Sequence, residues 1–227
     1  MLASKIFHHN WFAILYFNFK MLPFKQAIHL PFDFYYRVRF NELSGRVRIK
    51  SNRIYRGMIK IGGRGSDIFP RQCSVITLRG YMELGCGIEF GTGISLVIDK
   101  DARFILGNNV RLGAGTKVYC AKQIEMGNEI DFSWECQIFD TNFHYIKNVE
   151  TGQIYPIDSP IKIGSYAWFG NRVNVMKGTV IPDNTIVASN SLCNKNYSEI
   201  GEYILLAGSP AGLKKKGCKR LFENVDL

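Results

Sequence analysis

A six-residue spacing of apolar side chains between Ile163 and Cys193 constrains this chain more than any other feature. Ile163, Phe169, Val175, Ile181, Val187 and Cys193 follow one another at steps of six. Four residues after each of the first five stand Ala167, Val173, Thr179, Thr185 and Ser191, all small or β-branched. Neither regular element has this period, since a helix repeats every ~3.6 residues and a strand every ~2. A step of six fits a chain that turns a corner once per hexad, three turns making one coil of a triangular prism. The large apolar side chain of each hexad then points into the prism, and the small one sits near the corner. Stacked coils hydrogen-bond to one another as parallel strands.

Earlier stretches follow the same grammar less cleanly. Leu106, Leu112 and Val118 step by six, with Val110 and Thr116 at the small positions. Met126, Phe132 and Ile138 do so again, with Ile130 and Cys136, after a frame slip of two residues. Glycine follows an apolar residue at Leu84, Phe90, Leu106 and Met126. This pattern places the start of regular coils between Arg46 and Ile76. The rows stop between Asp140 and Pro160, where Asp140-Thr-Asn-Phe-His144 opens a stretch of polar and turn residues. That segment must leave the prism as a loop, and loops on rigid scaffolds are where sites concentrate.

The two ends read differently. Phe7, Trp11, Phe12, Phe17, Phe19 and Phe24 crowd the first 45 residues, spaced by Lys5, Lys20 and Lys25 and punctuated by Pro23 and Pro31. One or two short helices are expected there, capping the open end of the first coil. The expected division is a capping segment over 1–45, a prism over 46–211 with its loop at 140–160, and a basic tail or short helix over 212–227.

Composition narrows the function. A chain of 227 residues, 46% of them hydrophobic, is enough for one sizeable domain with extensions or at most two small ones, and is not expected to be disordered throughout. The net charge of +10 calls for anionic partners: nucleic acid, a phosphorylated cofactor or an acidic membrane surface. No nucleic-acid-binding module is recognisable. None of the six cysteines forms a C-x-x-C pair or has a histidine at ligand spacing, so no metal site is expected. They read as free, buried thiols in a reducing compartment. The apolar run from Trp11 to Phe17 is far short of the ~20 residues of a membrane span. No small-residue cleavage site follows it, and the chain reads as cytoplasmic. Arg37, Arg39, Arg46, Arg48, Lys50, Arg53, Arg56, Lys60, Arg64 and Arg71 make its first half densely basic. Together with the aromatic leader they could hold the protein at an anionic inner membrane surface, the alternative being a solvated basic face.

Of four histidines, His8, His9 and His29 fall in the capping segment, and His144 alone sits where the rows open into a loop. A neutral imidazole there can take a proton from an attacking hydroxyl or amine. A lone loop histidine is more often plain surface. The hexad rows, the break at the histidine and the closing Ala207-Gly208-Ser209-Pro210-Ala211 resemble the hexapeptide-repeat acyltransferases, a likeness covering roughly residues 76–215. Within it, Pro160-Ile-Lys-Ile-Gly-Ser-Tyr-Ala-Trp-Phe-Gly-Asn171 is similar to a family signature nearly residue for residue. The branch it most resembles is the sugar O-acetyltransferases, such as the maltose and galactoside enzymes and those that modify capsules or lipopolysaccharide.

The resemblance implies an all-β fold, a left-handed parallel β-helix assembled as a homotrimer, with active sites between subunits. It implies acetyl-CoA as donor and a hydroxyl of a cell-surface polysaccharide or its precursor as acceptor. His144 matches the family's general base. Asp140 matches the aspartate of the same motif, which would orient the imidazole or contact the acceptor; apart from the resemblance it reads as a turn-forming residue. Trp168, Asn171, Ser189, Asn194, Lys195 and Lys215 fall where the family binds the donor, Asn194 and Lys195 near its nucleotide and Lys215 as a point charge for its phosphates. Apart from the resemblance, Trp168 reads as packing against the loop and Lys214 to Lys216 as a solvated tail. Trp134 and Asn142 fall on the acceptor side. The chain departs from the family at Ser189, where alanine is common, at Asn194, where threonine is common, and at Gly212, where many members have arginine.

Four rival readings differ in what they require of the chain. A β-helix carbonic anhydrase needs three zinc-binding histidines, and only His144 lies in the coils. A nucleotidyltransferase needs an N-terminal nucleotide-binding domain that 45 aromatic-rich residues cannot build. N-acetylation of an amino sugar, or a non-catalytic assembly module that binds no CoA, are the remaining alternatives.

Overall fold

A computed structural model describes residues 8–63 and 68–221. The expectations for Phe7, Lys5 and Arg64, and for the last six residues of the tail, therefore lie outside the described residues.

Three parallel sheets form the sides of a prism. The first face runs Phe32–Phe34, Ile59–Ile61, Ile88–Phe90, Val110–Leu112, Ile130–Phe132, Trp168–Phe169, Ile186–Val187 and Ile204–Ala207. The second runs Val38–Leu43, Ser74–Leu78, Ser95–Ile98, Lys117–Cys120, Gln137–Phe139, Asn174–Met176 and Leu192–Cys193. The third runs Arg46–Ile49, Tyr81–Leu84, Arg103–Leu106, Gln123–Met126, Ile161–Ile163 and Val180–Ile181. The chain visits first, second and third face in turn, so each visit to all three closes one coil.

The hexad rows occupy the places that their period dictates. Ile163, Phe169, Val175, Ile181, Val187 and Cys193 fill the interior, and Ala167, Val173, Thr179, Thr185 and Ser191 are buried at the corners. Like residues stack along the axis: the rings of Phe132 and Phe169 lie 3.9 Å apart and nearly parallel. Corner hydroxyls satisfy the turning backbone, as where Thr179 Oγ1 donates to the Met176 and Cys193 carbonyls at 2.6 and 2.9 Å. The glycines that follow Leu106 and Met126 stack at the corner between third and first faces. A Cβ on Gly107 would stand 2.5 Å from the Gly127 carbonyl oxygen, so only glycine lets these coils approach.

Two boundaries differ from those expected. Coils begin at Phe32, not after Arg46, because Phe32–Phe34 already pairs in parallel with Ile59–Ile61 and Val38–Leu43 with Ser74–Leu78. The cap is correspondingly shorter: helix α1, Trp11–Met21, and the single turn α2, Phe24–Ala27. Asn10 caps α1 by accepting the Ala13 N–H at 3.1 Å. Phe17 packs among Phe32, Phe34 and Phe40 with ring centroids 4.7–5.6 Å apart, closing the open end of the prism. Asn18, fully buried, exchanges hydrogen bonds with both backbone groups of Phe32. At the other end, Gly212–Lys216 is neither loose tail nor helix. It turns back as a strand antiparallel to Ile204–Ala207 and covers that sheet edge.

All six cysteines are free, and half of them match the expected burial. Cys120, Cys136 and Cys193 lie in the interior, where burial raises every thiol, Cys136 to about 11 and Cys193 to about 12. Cys73 is exposed, and Cys86 and Cys218 are half-buried. A thiol reagent is therefore expected to titrate three cysteines in the native protein and all six in denaturant. Reaction of Cys120, Cys136 or Cys193 without unfolding would contradict the packing.

Candidate active site

The segment from Asp140 to Pro160 leaves the prism at the corner between second and third faces, as its composition requires. Its base is tied down by one side chain. Asp140 is fully buried, and its carboxylate accepts backbone N–H groups from Ala121 at 2.6 Å, Lys122 at 2.8 Å and Gln123 at 2.7 Å. Those donors belong to the same corner one coil earlier. Burial pushes this carboxyl up, the three N–H donors pull it back, and the nearby Asp158 charge adds to the push. Both oxygens are thus engaged with backbone, and no hydrogen bond joins Asp140 to His144 among the described residues. Asp158 is itself part of the base: it bridges to Thr141, and its Oδ1 is buried without a partner there.

From this anchor the loop rises in a fixed sequence of contacts. Asn142 donates its backbone N–H to the Ile157 carbonyl at 3.0 Å, and Thr141 Oγ1 accepts the Phe143 N–H at 3.0 Å. Phe143 packs edge-on against Tyr119 and Phe139 of the second face. Its φ of +63° turns the chain outward at that point. His144 comes next, exposed, with no hydrogen-bond partner among the described residues. Beyond it a small hairpin pairs Ile146–Lys147 with Ile154–Tyr155.

The other expected site residues fall in three places. Trp134, Asn171 and Ser189 lie at the corner between first and second faces, one above another in successive coils. Asn194 and Lys195 lie at the His144 corner, further along the axis, with the Lys195 ammonium 5.4 Å from the Tyr197 ring. Trp168 points out from the first face. Its ring lies 5.5 Å from the guanidinium of Arg220, which also pairs with Asp131. Arg111 grips the same carboxylate with two bonds of 2.6 Å, so the returning tail is fastened across Trp168. Lys215 is exposed on the final antiparallel strand.

Two grooves border the Trp134 corner. One, of about 1060 Å³, runs toward the capped end and is lined by Tyr36, Lys60, Phe69, Arg71, Arg111 and Trp134 among others. The other, of about 630 Å³, takes in Lys117, Glu135, Gln137, Arg172, Asn174 and Asn190. Phe69 borders both and packs on Trp134 at 5.8 Å. It is brought there by a second excursion between Ile61 and Ser74, which the hexad count missed. The turn-rich Gly62-Gly63 and Pro70 were its signal in the sequence. Arg71 lies over the Tyr36 ring at 4.2 Å and has no carboxylate partner among the described residues. No cluster of metal-ligating side chains occurs among the described residues.

No protein-family model matches the chain. It is 25% identical over 168 residues to "Putative lipopolysaccharide biosynthesis O-acetyl transferase WbbJ" of Escherichia coli, covering 66% of this chain and 82% of that one. It is 26% identical over 159 residues to "Probable acetyltransferase Rv3034c" of Mycobacterium tuberculosis, covering 62% of this chain and 51% of the relative, about half of that protein's length. In fold it is similar to the crystal structure of the "polySia specific acetyltransferase NeuO", with a TM-score of 0.56 at 17% identity over 87% of this chain and 82% of that one. The rows of six, wound into a three-sided prism that opens at His144, share the left-handed parallel β-helix fold of that structure, and in sequence the chain is similar to proteins named as acetyltransferases.

Proposed function

We propose that the protein transfers an acetyl group from acetyl-CoA to a hydroxyl of a sugar in a cell-surface polysaccharide or its precursor. His144 is the general base, and a neighbouring copy in a homotrimer completes the site. The observation that carries this reading is the presentation of His144. A loop anchored by Asp140 and Phe143 holds out an imidazole that no described protein group occupies. The names borne by WbbJ and NeuO support the acceptor class.

The chemistry is direct transfer. His144 takes the proton of the acceptor hydroxyl as the sugar oxygen attacks the thioester carbonyl. The tetrahedral oxyanion collapses with loss of the C–S bond, and the imidazolium returns its proton to the departing thiolate. The products are the acetyl ester and free CoA. No cysteine nucleophile is called for, in keeping with interior thiols that burial holds protonated. Asp140 acts as a positioning residue through the backbone, and touches neither the imidazole nor the acceptor.

A single chain separates the parts. His144, Asn142, Asn194 and Lys195 lie at one corner, and Trp134, Asn171 and Ser189 at another, a prism face of ~15 Å away at about 3.3 Å per residue. A groove between the first set on one protomer and the second set on the next gathers both, which supports the trimer. In such a groove Trp134, Phe69 and Tyr36 offer ring faces to the acceptor, and Arg71 a charge. Lys195 and Lys215 suit the phosphates of the donor.

Release of CoA thiol with a panel of sugars tests the role of the base. His144→Ala is expected to lower kcat by ~10²–10⁴ while leaving the KM for acetyl-CoA within about twofold. Equal turnover by both proteins would remove His144 from the chemistry. Asp140→Ala strands three buried N–H groups and is expected to cost about 3 kcal/mol or more in urea unfolding, Asp140→Asn less. Either variant, where folded, should lose kcat at constant KM for acetyl-CoA; an unchanged kcat denies Asp140 its positioning role.

A further inference from the structure

Helix α1 has two apolar faces, and the prism uses one. Ala13, Ile14, Phe17, Asn18 and Met21 are buried against the first coil. At about 100° per residue they lie opposite Phe12, Leu15, Tyr16 and Phe19, all four of which are exposed, Phe12 by 79%. The patch is continuous. Phe12 stacks on Tyr16, and Phe19 meets Phe24, itself 71% exposed, with Ile28 one turn further on. A helix that is apolar all round belongs in a buried setting, and a contiguous exposed patch of this kind marks an interaction site.

Charge identifies what covers it. The first 32 residues contain no acidic side chain, and the first one met, Asp33, is buried against His9. Lys20 and Lys25 flank the patch, with the Lys20 ammonium 6.0 Å from the Tyr16 ring, and Arg56 lies over Trp11 at 4.8 Å. Trp and Tyr combine an apolar body with a polar tip that suits the boundary between lipid and water. Lysine stems can lie along an apolar surface while the heads reach outward. A second copy docked face to face through the same patch would set Lys20 and Lys25 near their own counterparts, with no carboxylate on the helix to answer them; a head-to-tail contact through the patch would instead make the oligomer mass depend on it.

We propose that this face docks on an anionic lipid bilayer, with α1 lying in the plane of the interface. Phe12, Leu15, Phe19 and Phe24 enter the acyl boundary, and Lys20 and Lys25 reach the headgroups. The helix does not cross: its 11 residues span ~16 Å, and no described helix is long and apolar enough to do so. Because α1 caps one end of the prism, a bilayer there leaves the corners carrying His144 and Trp134 open along the sides.

Co-sedimentation of the full chain with vesicles tests this, using phosphatidylcholine alone and with roughly one-third phosphatidylserine. Binding is expected to the anionic vesicles and to weaken with added salt. At about fivefold per lysine charge, Lys20→Glu with Lys25→Glu should weaken it by roughly 25-fold or more. Phe12→Ser with Phe19→Ser should abolish it while circular dichroism stays unchanged. No binding, equal binding to both vesicle types, or wild-type binding by either variant would overturn the proposal. So would a fall in oligomer mass caused by the serine pair, which would assign the face to a second copy.

Discussion

Successive coils among the described residues are joined by backbone hydrogen bonds, and that ladder limits where the chain can vary. Gly107, Gly127 and Gly164 show the pattern at one corner: each N–H donates to a carbonyl one coil on, at 2.8–2.9 Å. An extra residue within a face is tolerated only as a local bulge, as at Asn41, which stands outside the register between Phe40 and Glu42 of the second face. Longer insertions leave at a corner, as do those before Ile59, Ser74 and Ile161. The one before Ser74 lays Phe69 against Trp134, and the one before Ile161 carries His144. The ladder thus fixes which corner each candidate group occupies, and the proposed trimer would bring the two corners together.

Holding a functional loop on such a scaffold requires a fixed point, and Asp140 provides it. Three backbone N–H groups at a corner have no strand to pair with once the chain departs, and a carboxylate satisfies all three. The same logic recurs at the tail. Asp131 projects from the first face and is buried between Arg111 and Arg220, which fastens the returning chain over Trp168. In both places a single buried carboxylate joins segments that the hexad rows leave unconnected.

The prism was legible because its interior positions recur without interruption from Ile163 to Cys193, and the structure buries all six. Its beginning was not, because the coils at Phe32 and Ile59 are separated by irregular chain and carry no step of six. The final strand was hidden by Lys214, Lys215 and Lys216, whose side chains read as solvated while their backbone pairs with Ile204–Ala207. His144 could be singled out as the histidine at the break. The partners of Asp140 could not, since they are main-chain groups of residues 17 to 19 positions earlier, on which the side-chain pattern is silent. Phe69 and Arg71 were missed for a related reason: a turn-rich stretch shows that the chain departs, not where it lands.

In the proposed function, His144 of one protomer works on a groove belonging to another. Co-expression of two inactive variants tests it most directly, one carrying His144→Ala and the other a groove-blocking Ser189→Trp. In a trimer of both variants some boundaries bring an intact His144 to an intact groove, so acetyl transfer is expected to return in the mixture. If purified mixed trimers stay as inactive as either parent, the site lies within one chain and the account is contradicted.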